Sequence, residues 1–166
     1  MNKFCEKLSK RFDNKTLLLI ITNIIWMGVI YYFSSQPANE SSQISGVVTE
    51  FILKLLNIIF LGNIPQPLKQ LITGSNIVRK AGHAVEFFIL GVLVNLLVKR
   101  LKIKRSTAVA SIVCILYAIS DEFHQIFVSG RGPSVSDVLL DSISSVAAIL
   151  LVNSIKHIIF TRKKSN

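Results

Sequence analysis

The sequence predicts an all-α membrane protein: a bundle of four transmembrane helices, with an amphipathic helix in the long extracytoplasmic connection between the first and second spans. Three observations predict it. Four apolar runs approach or exceed the ~20 helical residues that a bilayer core requires. Of the 166 residues, 51% are hydrophobic, and the mean hydropathy is positive. The nineteen Lys and Arg stand in short blocks beside the apolar runs instead of being spread along the chain. The formal charge of +10 therefore reads as membrane flanks. No aromatic interleaving accompanies the basic blocks, so a nucleic-acid partner is not expected.

Taken in order, residues 1–16 form a basic cytoplasmic tail. The first span, 17–33, is interrupted only by Thr22, Asn23 and Gly28. It is longer than the apolar core of a signal peptide and lacks a small-x-small cleavage site, so it reads as a retained helix. Tyr31 and Tyr32 mark its interfacial end. Pro37 and the serines around it stop that helix and open the connection, 34–78. Within it Ile44, Val47, Val48, Phe51, Ile52, Leu55 and Ile59 recur at helical spacing, with Glu50, Lys54 and Asn57 off that face. This is the pattern of a helix lying on a membrane, and Glu50 and Lys54 argue against a short span. Pro65, Pro67 and Gly74-Ser75-Asn76 break the chain again.

The second span covers 79–98, a basic hinge 99–105, the third span 107–128, a Gly/Pro loop 129–136, and the fourth span 137–160. A short basic tail, 161–166, closes a single four-helix membrane domain spanning 17–160. Cys5 and Cys114 would lie at different depths, so no disulfide is expected; Cys5 reads as a plain thiol, with lipidation as the alternative. Five Lys and Arg lie in the N-terminal tail, five in the hinge and four at the C-terminal end, against five elsewhere. The positive-inside rule then puts both termini in the cytoplasm.

With that orientation the polar chemistry gathers at the extracytoplasmic end. At 100° per residue, Arg79, His83, Glu86 and Leu90 share one face, with Lys80 beside them. Asp121, His124 and Gln125 share another with Cys114 and Tyr117, Glu122 being displaced to one side. Asp137, Asp141, Ser144, Ser145 and Ala148 form a third. Ionisable groups in a span face the bundle interior or a wet cavity, so these faces are expected to meet. Glu86, Asp121, Glu122, His83 and His124 are the catalytic candidates. Arg79, Lys80, Gln125, Arg131, Ser134, Asp137 and Asp141 are the candidates for binding substrate or lipid.

Each has a structural alternative. Ser134-x-x-Asp137 resembles a capping box, the serines and alanines after Asp141 suit helix packing, and Arg79, Lys80 and Arg131 suit snorkelling to headgroups. Arg131 is six residues from both Gln125 and Asp137, close enough to fork onto Asp121, Glu122 or Asp137. Metal spacing is weak: no metal is expected, and the candidates for one are His83 and His124 with Glu86, Asp121 or Glu122 as the carboxylate. No P-loop, Rossmann glycine pattern, GxSxG or zinc ribbon occurs, and no cofactor is expected.

The chain resembles the VanZ-like family of small membrane proteins. The resemblance is carried by Ser34-Ser35-Gln36-Pro37, by Arg79-Lys80-x-x-His83-x-x-Glu86 with Gly91, and by Asp121-Glu122-x-His124-Gln125-x-Phe127-x-x-Gly130-Arg131-x-x-Ser134-x-x-Asp137-Val138. Phe87, Asp141 and Ser144 depart from the Tyr, Asn and Gly expected there. The resemblance implies a four-helix membrane protein, in some members linked to resistance to teicoplanin-type glycopeptides. Two functions follow as expectations. One is binding of an anionic membrane lipid or lipid-linked cell-wall precursor, with room for a homo-oligomer. The other is a membrane-embedded hydrolase or transferase with a His/carboxylate site.

Overall fold

A computed structural model describes residues 13–73 and 77–165. Cys5, most of the N-terminal basic tail and the Gly74-Ser75-Asn76 break lie outside the described residues. Six α-helices and no strands occur among those described: α1 (Asn14–Ser34), α2 (Ala38–Ile59), α3 (Gln66–Thr73), α4 (Ile77–Arg100), α5 (Ser106–Gln125) and α6 (Val135–Ser165). All but α3 are long and apolar enough to cross a membrane. Three of these cover the first, second and fourth runs expected to span, and α5 covers the third as far as Gln125, three residues short of its expected end. The fifth, α2, contains the expected amphipathic segment and starts six residues earlier, directly after Pro37.

The packing is that of a protein in lipid. Leu18, Ile24, Leu116 and Ile143 are each 60% exposed or more. The interior is small: Ile30, Phe87, Leu90, Val94, Val98, Ala110, Cys114, Ala118 and Ile149. Lipid tails are as apolar as these side chains, so close packing and interhelical hydrogen bonds must hold the helices together. Helix α4 is central, touching α1, α2, α3, α5 and α6, with α6 its largest partner.

That pair is fastened at three depths. At one end Lys80 Nζ donates to Asp137 Oδ1 at 2.5 Å. In the middle Gly91 lets the backbones meet: a Cβ there would lie 2.9 Å from Ser145 Cα. At the other end Asn95 Nδ2 donates to Asn153 Oδ1 at 2.9 Å, and Asn153 Nδ2 donates to Thr107 Oγ1 at 3.0 Å, tying in α5. Lys99 also donates to Asn153. Helix α1 joins through Trp26 Nε1, which donates to the Glu86 carbonyl at 2.9 Å, and by accepting the Tyr117 hydroxyl on the Met27 carbonyl at 2.7 Å.

Asp13 caps α1, accepting from the Thr16 amide at 3.0 Å and its hydroxyl at 2.7 Å, and it pairs with Arg100. These Thr16 bonds, aided by Arg100, hold the Asp13 carboxyl at about 2. The start of α1 and the end of α4 therefore share one end of the bundle. The end of α1 and the starts of α4 and α6 share the other.

Helix α2 differs from the rest: none of its residues is buried, and Val47, Phe51 and Ile58 are largely exposed. Its first amide, of Ala38, donates to the Ser129 carbonyl at 3.2 Å, beside Gly130 at φ +75°. A Cβ on Gly130 would come within 3.0 Å of the Ala38 Cβ, so both the turn and this contact favour glycine.

Candidate functional site

The ends of α1, α4, α5 and α6 and the loop before α6 assemble one polar layer. Ser34, fully buried, donates to Asp121 Oδ2 at 2.7 Å and accepts from Gln125 Nε2 at 2.7 Å. Gln125 also donates to the same Asp121 oxygen at 3.3 Å. Asp121 and Gln125 thus sit together as the helical spacing predicts, and Ser34 completes them from α1. The sequence reading placed Ser34 beyond the span; its position inside Ser34-Ser35-Gln36-Pro37 was the available signal.

Glu122 is buried too, but it faces the α5–α6 loop, accepting from the Ser134 amide at 2.5 Å. The predicted capping box is thereby split. Ser134 Oγ accepts the Asp137 amide at 3.3 Å, as an N-cap should, whereas the Asp137 carboxylate is drawn to Lys80, with Arg79 Nη2 3.9 Å away. Glu122 supplies the acceptor that a box residue at Asp137 would have supplied.

A second group lies deeper. His83, Asp121 and Asp141 each offer one ligating atom, all within 4.8 Å of one another. Asp121 and Asp141 are 4% and 3% exposed. Beside them, Glu86 Oε2 is 3.7 Å from His83 Nδ1. His83 Nδ1, Glu86 Oε2, Asp121 Oδ1 and Asp141 Oδ1 are all buried without a hydrogen-bond partner. His124 does not join; its ring stacks on Tyr31 at 4.4 Å between centroids. The metal-capable set therefore contains the expected His83 and Asp121 but not His124, Glu86 or Glu122, and Asp141 completes it.

Arg131 corrects a second expectation. Its Nη2 donates to the Phe33 carbonyl at 3.4 Å, and it forms no ion pair with Asp121, Glu122 or Asp137. Nε and Nη1 are buried without a partner. Burial, and then the like charge of Arg79, pull the guanidinium below its usual value. The acids expected to receive it are committed elsewhere: Asp121 to Ser34 and Gln125, Glu122 to Ser134, Asp137 to Lys80. Ser144 turns back to its own helix, donating to the Leu140 carbonyl at 2.8 Å.

Two cavities open onto this layer. One is an apolar groove of about 570 Å³ between α2, α3 and α4, walled by Ile44, Val48, Ile52, Ile72 and Val85, with His83 and Glu86 also lining it. The other is a smaller polar pocket of about 280 Å³ lined by Lys80, Ser134 and Asp137 with the loop glycines 130 and 132. Arg79 and Arg131 line both.

The family model described as VanZ/LLP1 matches residues 19–158. The chain belongs to the VanZ/LLP1 family. The match covers α2, α3, α4 and α5 in full and most of α1 and α6, and every residue of the polar layer lies inside it. No curated protein and no solved structure matches the chain. The VanZ-like resemblance read from the three motifs is thereby shown, and those motifs supply most of the layer just described.

Proposed function

We propose that this VanZ-like protein holds an anionic membrane lipid or lipid-linked cell-wall precursor at the extracytoplasmic face of the cell membrane. Through that ligand it contributes to teicoplanin-type glycopeptide resistance or to envelope homeostasis. The observation that carries the reading is that Arg79 and Arg131 line both the apolar groove and the polar pocket. An amphiphile needs that junction: its chain would lie along Ile44, Val48 and Ile52, and its phosphate would meet two guanidiniums and Lys80. The free Nε and Nη1 of Arg131 suit a forked contact with phosphate oxygens, which a lysine cannot reproduce.

The arrangement in the membrane is part of the proposal: one domain with four spans, α1, α4, α5 and α6, and both termini cytoplasmic. Helix α1 ends, and α4 begins, at the same end of the bundle. The chain between them must leave and return on one side. If α2 crossed, α3 would have to bring the chain back, yet eight residues rise only about 12 Å against a hydrocarbon core of about 30 Å. Helix α2 is therefore assigned to the interface, its exposed apolar face in lipid.

The test is native mass spectrometry of the detergent-purified protein offered dioleoyl phosphatidylglycerol, undecaprenyl phosphate or zwitterionic dioleoyl phosphatidylcholine. The two anionic lipids should be retained over the zwitterionic one. Retention should fall roughly tenfold or more in Arg79→Ala/Arg131→Ala, and nearly as far in Arg131→Lys. Equal retention of all three lipids, or variants that match wild type, overturns the reading. Teicoplanin susceptibility of a host expressing each variant then tests the biological part.

A second reading, a membrane-embedded hydrolase or transferase, is favoured by one observation: His83 and Glu86 line the groove that would hold the ligand. Glu86→Gln discriminates. A catalytic role requires loss of the resistance phenotype with lipid retention intact, whereas a holding role leaves both unchanged.

A further inference from the structure

We infer that His83, Asp121 and Asp141 form a binding site for one divalent transition-metal ion, of the zinc or manganese class. The site goes beyond lipid holding and does not depend on it. Three helices, α4, α5 and α6, each contribute one ligating atom, and the three atoms fall within 4.8 Å of one another. That is close enough for one ion at bond lengths of about 2.0–2.2 Å with small side-chain adjustment.

The second observation is that polar atoms of these three residues are left without partners. Asp121 Oδ1, Asp141 Oδ1 and His83 Nδ1 are all buried and make no hydrogen bond. The two aspartates are 4% and 3% exposed. A native interior rarely leaves three such groups unsatisfied in one place, and each calls for an explanation. Asp121 is held by its other oxygen alone, through Ser34 and Gln125, which fixes the carboxylate and leaves Oδ1 free.

Charge points the same way. The cations of the layer are spoken for or turned away: Lys80 and Arg79 face Asp137, and Arg131 meets the Phe33 carbonyl. Two carboxylates in a dry layer repel, and a dication between them removes that repulsion. One imidazole nitrogen and two carboxylate oxygens suit zinc or manganese better than calcium, which takes six to eight oxygens. Three protein ligands leave a position for a fourth, and His83, also a wall of the apolar groove, marks the side from which it would come.

The experiment uses the full chain, purified with a tag lacking histidine, stripped with chelator and re-equilibrated with Zn²⁺ or Mn²⁺. Elemental analysis should give one ion per chain, and added metal should raise the thermal midpoint in detergent. Asp141→Asn and His83→Gln should each lower the affinity at least tenfold while keeping wild-type helicity by circular dichroism. His124→Ala, whose ring packs on Tyr31, should bind like wild type. The inference is overturned by a stoichiometry near zero, in which case the aspartates share a proton. It is also overturned by binding of Ca²⁺ or Mg²⁺ alone, or by affinity that His83→Gln and Asp141→Asn leave unchanged. Should either of those two variants misfold, the other, with His124→Ala, still decides the question.

Discussion

Glu122 on α5 accepts the backbone amide of Ser134 at 2.5 Å, and this bond, made across the α5–α6 loop, supplies half of the cap on α6. The local half is Ser134 Oγ, which accepts the Asp137 amide. Removing the acceptor leaves a half-buried amide without a partner, at a cost of about 1–3 kcal/mol. Glu122→Ala should therefore lower the thermal midpoint clearly, and Glu122→Gln, which keeps a carbonyl oxygen in place, should lower it less. Scanning fluorimetry in detergent measures both. Two variants melting with the wild type would show that the bond contributes nothing.

The same bond shows what the sequence could convey. The serine-x-x-aspartate spacing announces the start of α6, but a box is a local device, and it was opened by Lys80, which is remote in sequence. Pairings of that kind depend on which helices become neighbours. The apolar runs gave the long helices, and 100° spacing put His83, Asp121 and Asp141 on faces that meet. Spacing misled for His124, one turn past Asp121, because the available aromatic partner, Tyr31, lies on α1. Helix α3 was hidden by Pro65 and Pro67, which read as breakers. Pro67 stands in the first helical turn, where the missing N–H has no partner in any case. Asn95 and Asn153 each passed as a lone polar residue in an apolar run, although polar groups in spans commonly bond across helices.

Gly91 should tolerate no larger residue. A Cβ there would lie 2.9 Å from Ser145 Cα and 3.0 Å from its carbonyl carbon, both backbone atoms that cannot rotate aside. Gly91→Ala should cost about 1–3 kcal/mol by forcing α4 and α6 apart. Gly82, on the same helix with nothing within 4 Å of a built Cβ, is the control. Its alanine variant should melt with the wild type or above it. Equal melting of the two variants would refute the close approach.

Topology separates four spans from five. In a Cys5→Ala background Cys114 is buried and should stay silent. Single cysteines at Ser129 and at Leu61, just beyond α2, should react with an impermeant maleimide in intact cells, and one at Lys102 should not. Labelling at Ser129 without Leu61 would mean that α2 crosses the membrane. The reverse pattern, Lys102 alone, would invert the protein.

Acid should loosen the opposite end. The Asp13 carboxyl is held at about 2, below its ordinary 3.8, by its bonds to Thr16 and by Arg100. Because the folded value is the lower one, the contribution is complete above 3.8 and disappears as pH falls through about 2. Asp13→Ala should melt lower than the wild type at pH 6, and the gap should shrink progressively below pH 4. A gap that stays constant down to pH 2 would assign the cap's effect to something other than the carboxylate's charge.

The three fastenings between α4 and α6 have a consequence for how the groove can change size. With Lys80 on Asp137, Gly91 against Ser145 and Asn95 on Asn153, these two helices can neither slide nor roll past each other. The groove's other wall, α2, is tied at its start by the Ala38 amide on the Ser129 carbonyl, and its outward side, at Val47, Phe51 and Ile58, is largely exposed. In the interfacial placement proposed for α2, the protein supplies one fastened jaw and the surrounding bilayer backs the other. On that placement the width of the groove would follow lateral pressure and lipid packing, and a change in membrane composition would reach the polar layer without any molecule binding there first.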